Sequence, residues 1–333
     1  MQRIRSIDVA RLAGVSRSAV SRTFTDGASV AAETRRRVEE AAAALGYRPN
    51  AIARMLITRR SGLVGVVVAE LDNPFYTRML DALSYRLQDA GLMPLLFNCR
   101  DAHRVDDLLP RLLDCQVEGV IVTAATLSSH MAHQCLRIGT PVVLLNRYVN
   151  DDDASSVACA NREGGAMIAD HLLGLGRGGL GFVAGIEDTS SSRDREEGFT
   201  KRVAERGARI TRRAVGGYSY LGGLRAARAM LAGLDRPDTV FCANDVMAIA
   251  MMDVATGEFG LRVPEDLCVA GYDNIAPVVW PGYGLTSVDQ NIEAMVEQAV
   301  AILLARLESP GLAPERRFIV PELCVRRSTG LVG

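Results

Sequence analysis

The chain is almost without lysine. Lys201 is the only one in 333 residues, so arginine carries nearly every positive charge and a lone arginine is poor evidence of a functional contact. Long apolar runs are missing as well. The longest, GLVGVVVA at 62–69, has the length of a buried strand and falls far short of the roughly 20 residues that cross a bilayer, so no membrane partner is expected. The first residues, MQRIRSIDVARL, lack the apolar core of a secretory signal, which predicts a cytoplasmic location. Seven cysteines stand without CxxC or Cys/His metal spacing and read as reduced small hydrophobes. GxSxG, HExxH and P-loop motifs are absent, and no Ser/His/Asp or metal set emerges among four histidines. Neither an enzyme, a cofactor nor a metal is expected. One GxGxxG does occur, GLGRGG at 174–179, but it ends a helical pattern and precedes a strand. A dinucleotide fingerprint needs the reverse order.

What is present is a globular composition, 48% apolar and 23% charged, on a chain long enough for two or three domains. The net charge of −1 hides an asymmetry. Residues 1–60 hold twelve arginines against five acids, and the remainder is correspondingly acidic. A basic head on an acidic body suggests that the head meets a polyanion.

Three short helical patterns fill residues 6–46. The first, about Ile7 to Ala13, stops at Gly14; Ser16 can cap a second, about Arg17 to Phe24. A third ends at Gly46, and Val9, Leu12, Ala13, Val15, Val20, Val38, Ala42 and Leu45 would form one small core. From Leu63 on, apolar runs at 63–69, 94–97, 119–122, 141–145 and 156–159 alternate with helical stretches. A second series follows at 180–184, 213–215, 239–242 and 267–272. Such alternation predicts an α/β body of two doubly wound parallel sheets, with a boundary near Ala160 and a return near 287–290.

Two short helices joined by a tight glycine turn match a helix-turn-helix, whose second helix enters the major groove. With Ala19 and Val20 inward, Arg17, Ser18, Ser21 and Arg22 face outward; arginine can bridge guanine O6 and N7, and serine reaches bases or phosphates.

The stretches DVARLAGVSRSAVSRTF, ETRRRVEEAAAALGYRPNAIARMLITRRSGLVGVVV, LDNPFY, REEGF, ANDVMAIA and VAGYDN occur in order along the whole chain. In them the sequence resembles the lactose-repressor (LacI/GalR) type of bacterial transcription regulators. The resemblance implies a helix-turn-helix head at 1–48, a hinge helix and linker at 49–61 and an effector-binding and dimerisation body at 62–333. The body would divide into lobes of periplasmic-binding-protein type, about 62–159 plus 291–308 and about 160–288 plus 317–328. It also implies that Arg17 and Ser18 choose operator bases, that Ser16, Ser21 and Arg22 contact bases or backbone, and that Thr34 meets a phosphate. In the linker, Asn50 would cap the hinge helix. Ala53 and Leu56 would lie in the minor groove, with the leucine wedged between base pairs. Two positions depart from the family pattern: Ser6 replaces the usual threonine cap with a shifted start, and Ala31 stands where a capping residue is usual.

In parallel sheets ligands bind beyond the carboxyl ends of the strands. Phe75, Tyr76, Thr123, Asn146 and Arg147 fall there in the first lobe, and Arg195, Tyr218, Asn244 and Asp273 in the second. Carboxylates and amides pair with vicinal hydroxyls, arginine adds charged donors, and aromatic faces cover ring carbons. The family uses the positions of Phe75, Arg195, Asn244 and Asp273 for its small effector, often a sugar or nucleobase. Asp245 is expected merely to cap the next helix, and the spacing to Gly198 favours Arg195 over Arg193. Asn146 stands where the family often has an acid. The competing reading is a periplasmic sugar-binding protein, which shares the body but would carry a signal peptide and no head. The chain is therefore expected to be a dimeric, effector-responsive repressor of a pseudo-palindromic operator, without a coiled-coil tail after RRSTGLVG.

Overall fold

The computed structural model describes residues 4–25, 28–47, 60–99, 105–123, 134–135, 137–149 and 154–330. It divides into two compact units, Met1–Ser61 and Gly62–Gly333. The positions of Asn50, Ala53 and Leu56 lie outside the described residues.

In the first unit, α1 (Ser6–Ala13), α2 (Arg17–Thr23) and α3 (Ala32–Leu45) enclose Val9, Ala10, Ala13, Val20, Val38, Ala41 and Ala42. Gly14 and Gly46 end α1 and α3 in the left-handed conformation, the turn a glycine adopts without steric cost. Ser16 caps α2 by accepting from the Ala19 N–H at 3.1 Å. Two expectations fail here. Leu12 is 57% exposed, since the buried face of α1 is centred on Val9, Ala13 and Ala10 and Leu12 falls beyond its edge on the Val9 side; Phe24 and Tyr47 pack against the core instead. Ser6 is the first residue of α1 rather than its cap, and Asp8 reaches back to accept from the Arg5 N–H at 2.9 Å.

The second unit alternates strands and helices. Its first lobe holds β1 (Leu63–Val68), α4 (Pro74–Asp89), β2 (Met93–Asn98), α5 (Val105–Asp114), β3 (Gly119–Thr123), β4 (Val142–Leu145) and β5 (Ser155–Cys159). The chain then crosses into α6 (Asn161–Gly174), β6 (Leu180–Ala184), α7 (Ser190–Glu205), β7 (Arg212–Val215), α8 (Tyr220–Leu231), β8 (Thr239–Cys242), α9 (Asp245–Gly257) and β9 (Cys268–Ala270). β10 (Ser287–Asp289) leads back to α10 (Ile292–Glu308), which covers α4, β4 and β5 of the first lobe. β11 (Arg316–Ile319) and β12 (Glu322–Cys324) close the chain.

Both main sheets are parallel, in the orders β11-β5-β4-β3-β1-β2 and β7-β6-β8-β9. The valine-rich central strands are buried on both faces, as helices on either side require. Residues 317–319 correct the division of the lobes: they belong to β11, which pairs with β5 at the edge of the first sheet. Only at β12 does the chain return to the second lobe, pairing antiparallel with β10. Among the described residues the body is thus crossed three times, after β5, after β10 and after β11. The GLGRGG run ends α6 and turns into β6.

In the second lobe α6 and α7 are in unusually close contact. A Cβ at Gly198 would fall on the Arg162 carbonyl, and one at Gly165 on the Arg195 carbonyl. Beneath them Phe182, Phe199 and Phe241 pack with ring centroids 4.9–5.6 Å apart.

Candidate nucleic-acid and effector interfaces

On the head, Ser16, Arg17, Ser18 and Arg22 are exposed along α2, with Ser21 half-buried between them. The Ser16 and Ser18 hydroxyls lie 2.8 Å apart, and Arg22 Nε donates to the Ser18 carbonyl at 3.4 Å. Thr34 is half-buried in the first turn of α3. The arginine run on α3 serves the fold. Arg35 donates to the Thr23 carbonyl at 2.9 Å, Arg37 to the carbonyl of Ala13, and Arg36 pairs with Glu33 and Glu40. Cations at the C-terminal carbonyls of α1 and α2 complement the helix dipoles. The cationic surface for a polyanion is therefore narrower than the charge count suggests.

In the body the carboxyl ends of the strands of both lobes converge on a small void of about 10 Å³, room for about one water molecule. It is lined by Asn73, Phe75, Tyr76, Asn146, Ser191, Arg195, Tyr218 and Asp273. Six of these are residues the sequence pointed to. Arg147 lies just behind, 4% exposed, with Nη2 3.2 Å from Glu70 and 3.5 Å from the Tyr76 hydroxyl.

Besides Arg147, two candidates are not brought into the lining. Thr123 is buried and donates to the Val67 carbonyl at 3.3 Å. Asn244 is fully buried as the cap of α9: its Oδ1 accepts from the Met247 N–H at 3.0 Å and its Nδ2 donates to the Tyr218 carbonyl at 3.3 Å. The cap expected of Asp245 thus falls to its neighbour. Asp245 instead accepts from the Ile275 N–H at 2.9 Å and the Ser287 hydroxyl at 2.6 Å, tying the segment after β9 to α9, and burial raises its carboxyl well above the usual range. Asn73 and Ser191 join the lining unforeseen. Asn73 caps α4 through the Phe75 N–H at 3.1 Å, and the Ser191 hydroxyl meets that of Tyr218 at 3.4 Å.

Arg195 organises the second lobe's side of the void. Its Nε donates to Asn161 at 2.8 Å and its Nη1 to the Ala243 carbonyl at 2.7 Å. Nη1 also faces Asp273 Oδ1 at 3.2 Å, and the guanidinium lies 3.8 Å from the Tyr272 ring centroid. Asp273 Oδ1 further accepts from Gln290 at 2.7 Å. Burial pushes the Asp273 carboxyl up to about 6, with Arg195 and Gln290 pulling it back. Arg193, by contrast, is exposed and donates to the Asp188 carbonyl.

That value has a consequence for stability. It lies above the ~3.9 of an unfolded aspartate, so folding takes up a proton between the two. The stability this gives is complete at low pH and is lost as pH rises through about 6. Wild type should lose stability relative to Asp273→Asn between pH 4 and 7, by on the order of 2 kcal/mol. Paired denaturation curves across that window measure it; a pH-independent difference would contradict it.

The lobes also meet outside the void. Tyr148, after β4, donates its hydroxyl to Asp194 of α7 at 2.6 Å and its N–H to the Ser190 hydroxyl at 3.1 Å. Arg162 pairs with the same Asp194 at 2.7 Å. Among the described residues no cluster suited to a metal ion is found, and no helix is long and apolar enough to cross a membrane.

Comparison with known proteins agrees with both parts. Residues 7–50 match the family described as bacterial regulatory proteins, lacI family, and residues 169–329 match a periplasmic binding protein-like domain. The HTH-type transcriptional repressor PurR of Pasteurella multocida is 30% identical over 328 residues, covering 96% of this chain and 97% of that protein. The crystal structure of the lac repressor dimer bound to operator and the anti-inducer ONPF superposes with a TM-score of 0.88 at 26% identity, over 99% of this chain and 100% of that one. A complex of the transcriptional regulator CelR with cellobiose gives 0.74 at 28% identity, over 98% and 100%. The exposed recognition helix, the two-lobed body and a likeness that runs nearly end to end lead to one conclusion: the chain belongs to the lacI family of bacterial regulatory proteins and is a transcriptional repressor with an effector-binding domain, not an enzyme.

Proposed function

We propose that this protein binds a pseudo-palindromic operator as a dimer in the cytoplasm, with an affinity set by a sugar or sugar derivative held between the two lobes. The observation that carries the effector reading is the buried Arg195–Asp273 pair, presented with Phe75 and Tyr218 to one void. Fixed donors and acceptors beside aromatic faces suit a hydroxylated ring, and the regulator CelR is similar over nearly its whole length and binds cellobiose. The void is smaller than the roughly 300–1,000 Å³ of typical ligand pockets, so admitting the effector requires the lobes to part. Thr123 and Asn244 act behind the site, holding strands and α9 in place.

Exposed apolar side chains support the dimer. Tyr85, Met93 and Leu96 mark the first lobe, and Leu221, Val279 and Trp280 the second. Two copies would present two recognition helices to two half-sites. Asn50, Ala53 and Leu56 then belong to the hinge that enters the minor groove. The effector shifts operator affinity by its differential binding to two lobe arrangements.

Selection of bound duplexes from a randomised pool, with and without sugars, polyols and nucleobases, tests this reading. An enriched inverted repeat whose binding responds to one of these compounds is expected. No enrichment over random DNA would reject it. Arg22→Ala should weaken the selected operator by about 10–100-fold for each half-site, where one bidentate base contact is lost, and relax preference at one position per half-site. Unchanged preference would remove Arg22 from base reading.

A further inference from the structure

The charges around the void are already matched. Arg147 faces Glu70 at 3.2 Å within the first lobe, and Arg195 faces Asp273 at 3.2 Å within the second. A carboxylate or phosphate entering here would leave water without gaining an uncompensated cation, which disfavours an anionic ligand.

Asn146 and Tyr76 sharpen this. Asn146 is 3% exposed, is held in the left-handed conformation at φ 75°, and lines the void. Its Nδ2 donates to the Tyr76 hydroxyl oxygen at 3.2 Å, while its Oδ1 is a buried acceptor without a hydrogen-bond partner. The Tyr76 oxygen also receives Arg147 Nη2 at 3.5 Å, so the tyrosine's own proton is left to donate. One acceptor and one donor thus stand side by side on the first lobe. An alcohol satisfies both, accepting from Tyr76 and donating to Asn146. A carboxylate can only accept and would set oxygen against oxygen at Asn146, and an ammonium can only donate.

We infer that the cleft is specific for an uncharged, polyhydroxylated effector, and that Asn146 and Tyr76 together read one of its hydroxyls. This rests on the effector reading above and narrows it: sugars and polyols are taken, and the matching sugar acids and sugar phosphates are refused.

Calorimetric titration of the full-length protein with matched probes tests it. The pairs are glucose with gluconate, galactose with galacturonate and ribose with ribose 5-phosphate, with sorbitol and inorganic phosphate alongside. A neutral probe should bind at least tenfold tighter than its anionic partner. Tyr76→Phe and, separately, Asn146→Leu should weaken that probe at least tenfold. Tyr76→Phe should not weaken a deoxy analogue lacking the hydroxyl that is read. An anionic probe that binds as well as its neutral partner overturns the inference and leaves the effector cleft standing. Neutral binding that is unmoved by Tyr76→Phe overturns the residue assignment, even where Asn146→Leu fails to fold. If no probe of either class binds while operator binding is intact, the effector reading falls and takes this inference with it.

Discussion

Arg195→Ala should lower the free energy of unfolding by about 3–5 kcal/mol and abolish the effector response. The size follows from what is left behind. Asp273 loses its cation while remaining 4% exposed, Asn161 Oδ1 and the Ala243 carbonyl lose their donor, and Tyr272 loses the charge over its ring. Each is a buried group that water cannot reach in the folded state. Arg195→Lys should recover only part of the loss, because one ammonium nitrogen cannot occupy both of the places from which Nε meets Asn161 and Nη1 meets the Ala243 carbonyl and Asp273. Urea denaturation of the three proteins measures the effect. A loss below about 1 kcal/mol for the alanine variant would mean that Asp273 simply takes a proton and the site relaxes.

Gly198→Ala is the second change with a large expected effect. The added methyl would occupy the place of the Arg162 backbone, which is not a flexible side chain that can turn aside. Helices α6 and α7 would have to separate, at a cost of about 1–3 kcal/mol or more. Because α7 also carries Ser191, Asp194 and Arg195, operator-bound and free protein should both respond more weakly to effector. Gly174→Ala provides the contrast. A Cβ there meets nothing within 4 Å, and alanine in a helix is favoured by roughly 0.5–1 kcal/mol, so stability should be equal or slightly higher. Equal losses in both variants would deny that close helix contact is the cause.

Much of this molecule can be read in its residues because the signals are local. Gly14 and Ser16 punctuate the head, and the apolar runs that are buried on both faces announce the central strands. What escaped depends on neighbours distant in the chain. β11 alternates exposed and half-buried residues at a sheet edge, so it carries no apolar run, and only its pairing with β5 reveals its lobe. Asn244 and Asp245 are adjacent and both suited to capping; the partners that separate them, Tyr218, Ile275 and Ser287, come from other elements. Leu12 is apolar yet exposed, so hydrophobicity alone does not place it. Ser191 sits in a run of three serines, where composition cannot tell which one faces the void.

The three passages between the lobes are laced to one another. Cys159 pairs with Ile319, and Asp289 with Glu322, so neighbouring passages share backbone hydrogen bonds. A single strap would leave the halves free to swivel, whereas a bound set of three behaves like the spine of a book and resists twisting. If an effector fills the cleft as proposed, its occupancy would be translated into one coordinate, the degree to which the covers stand apart.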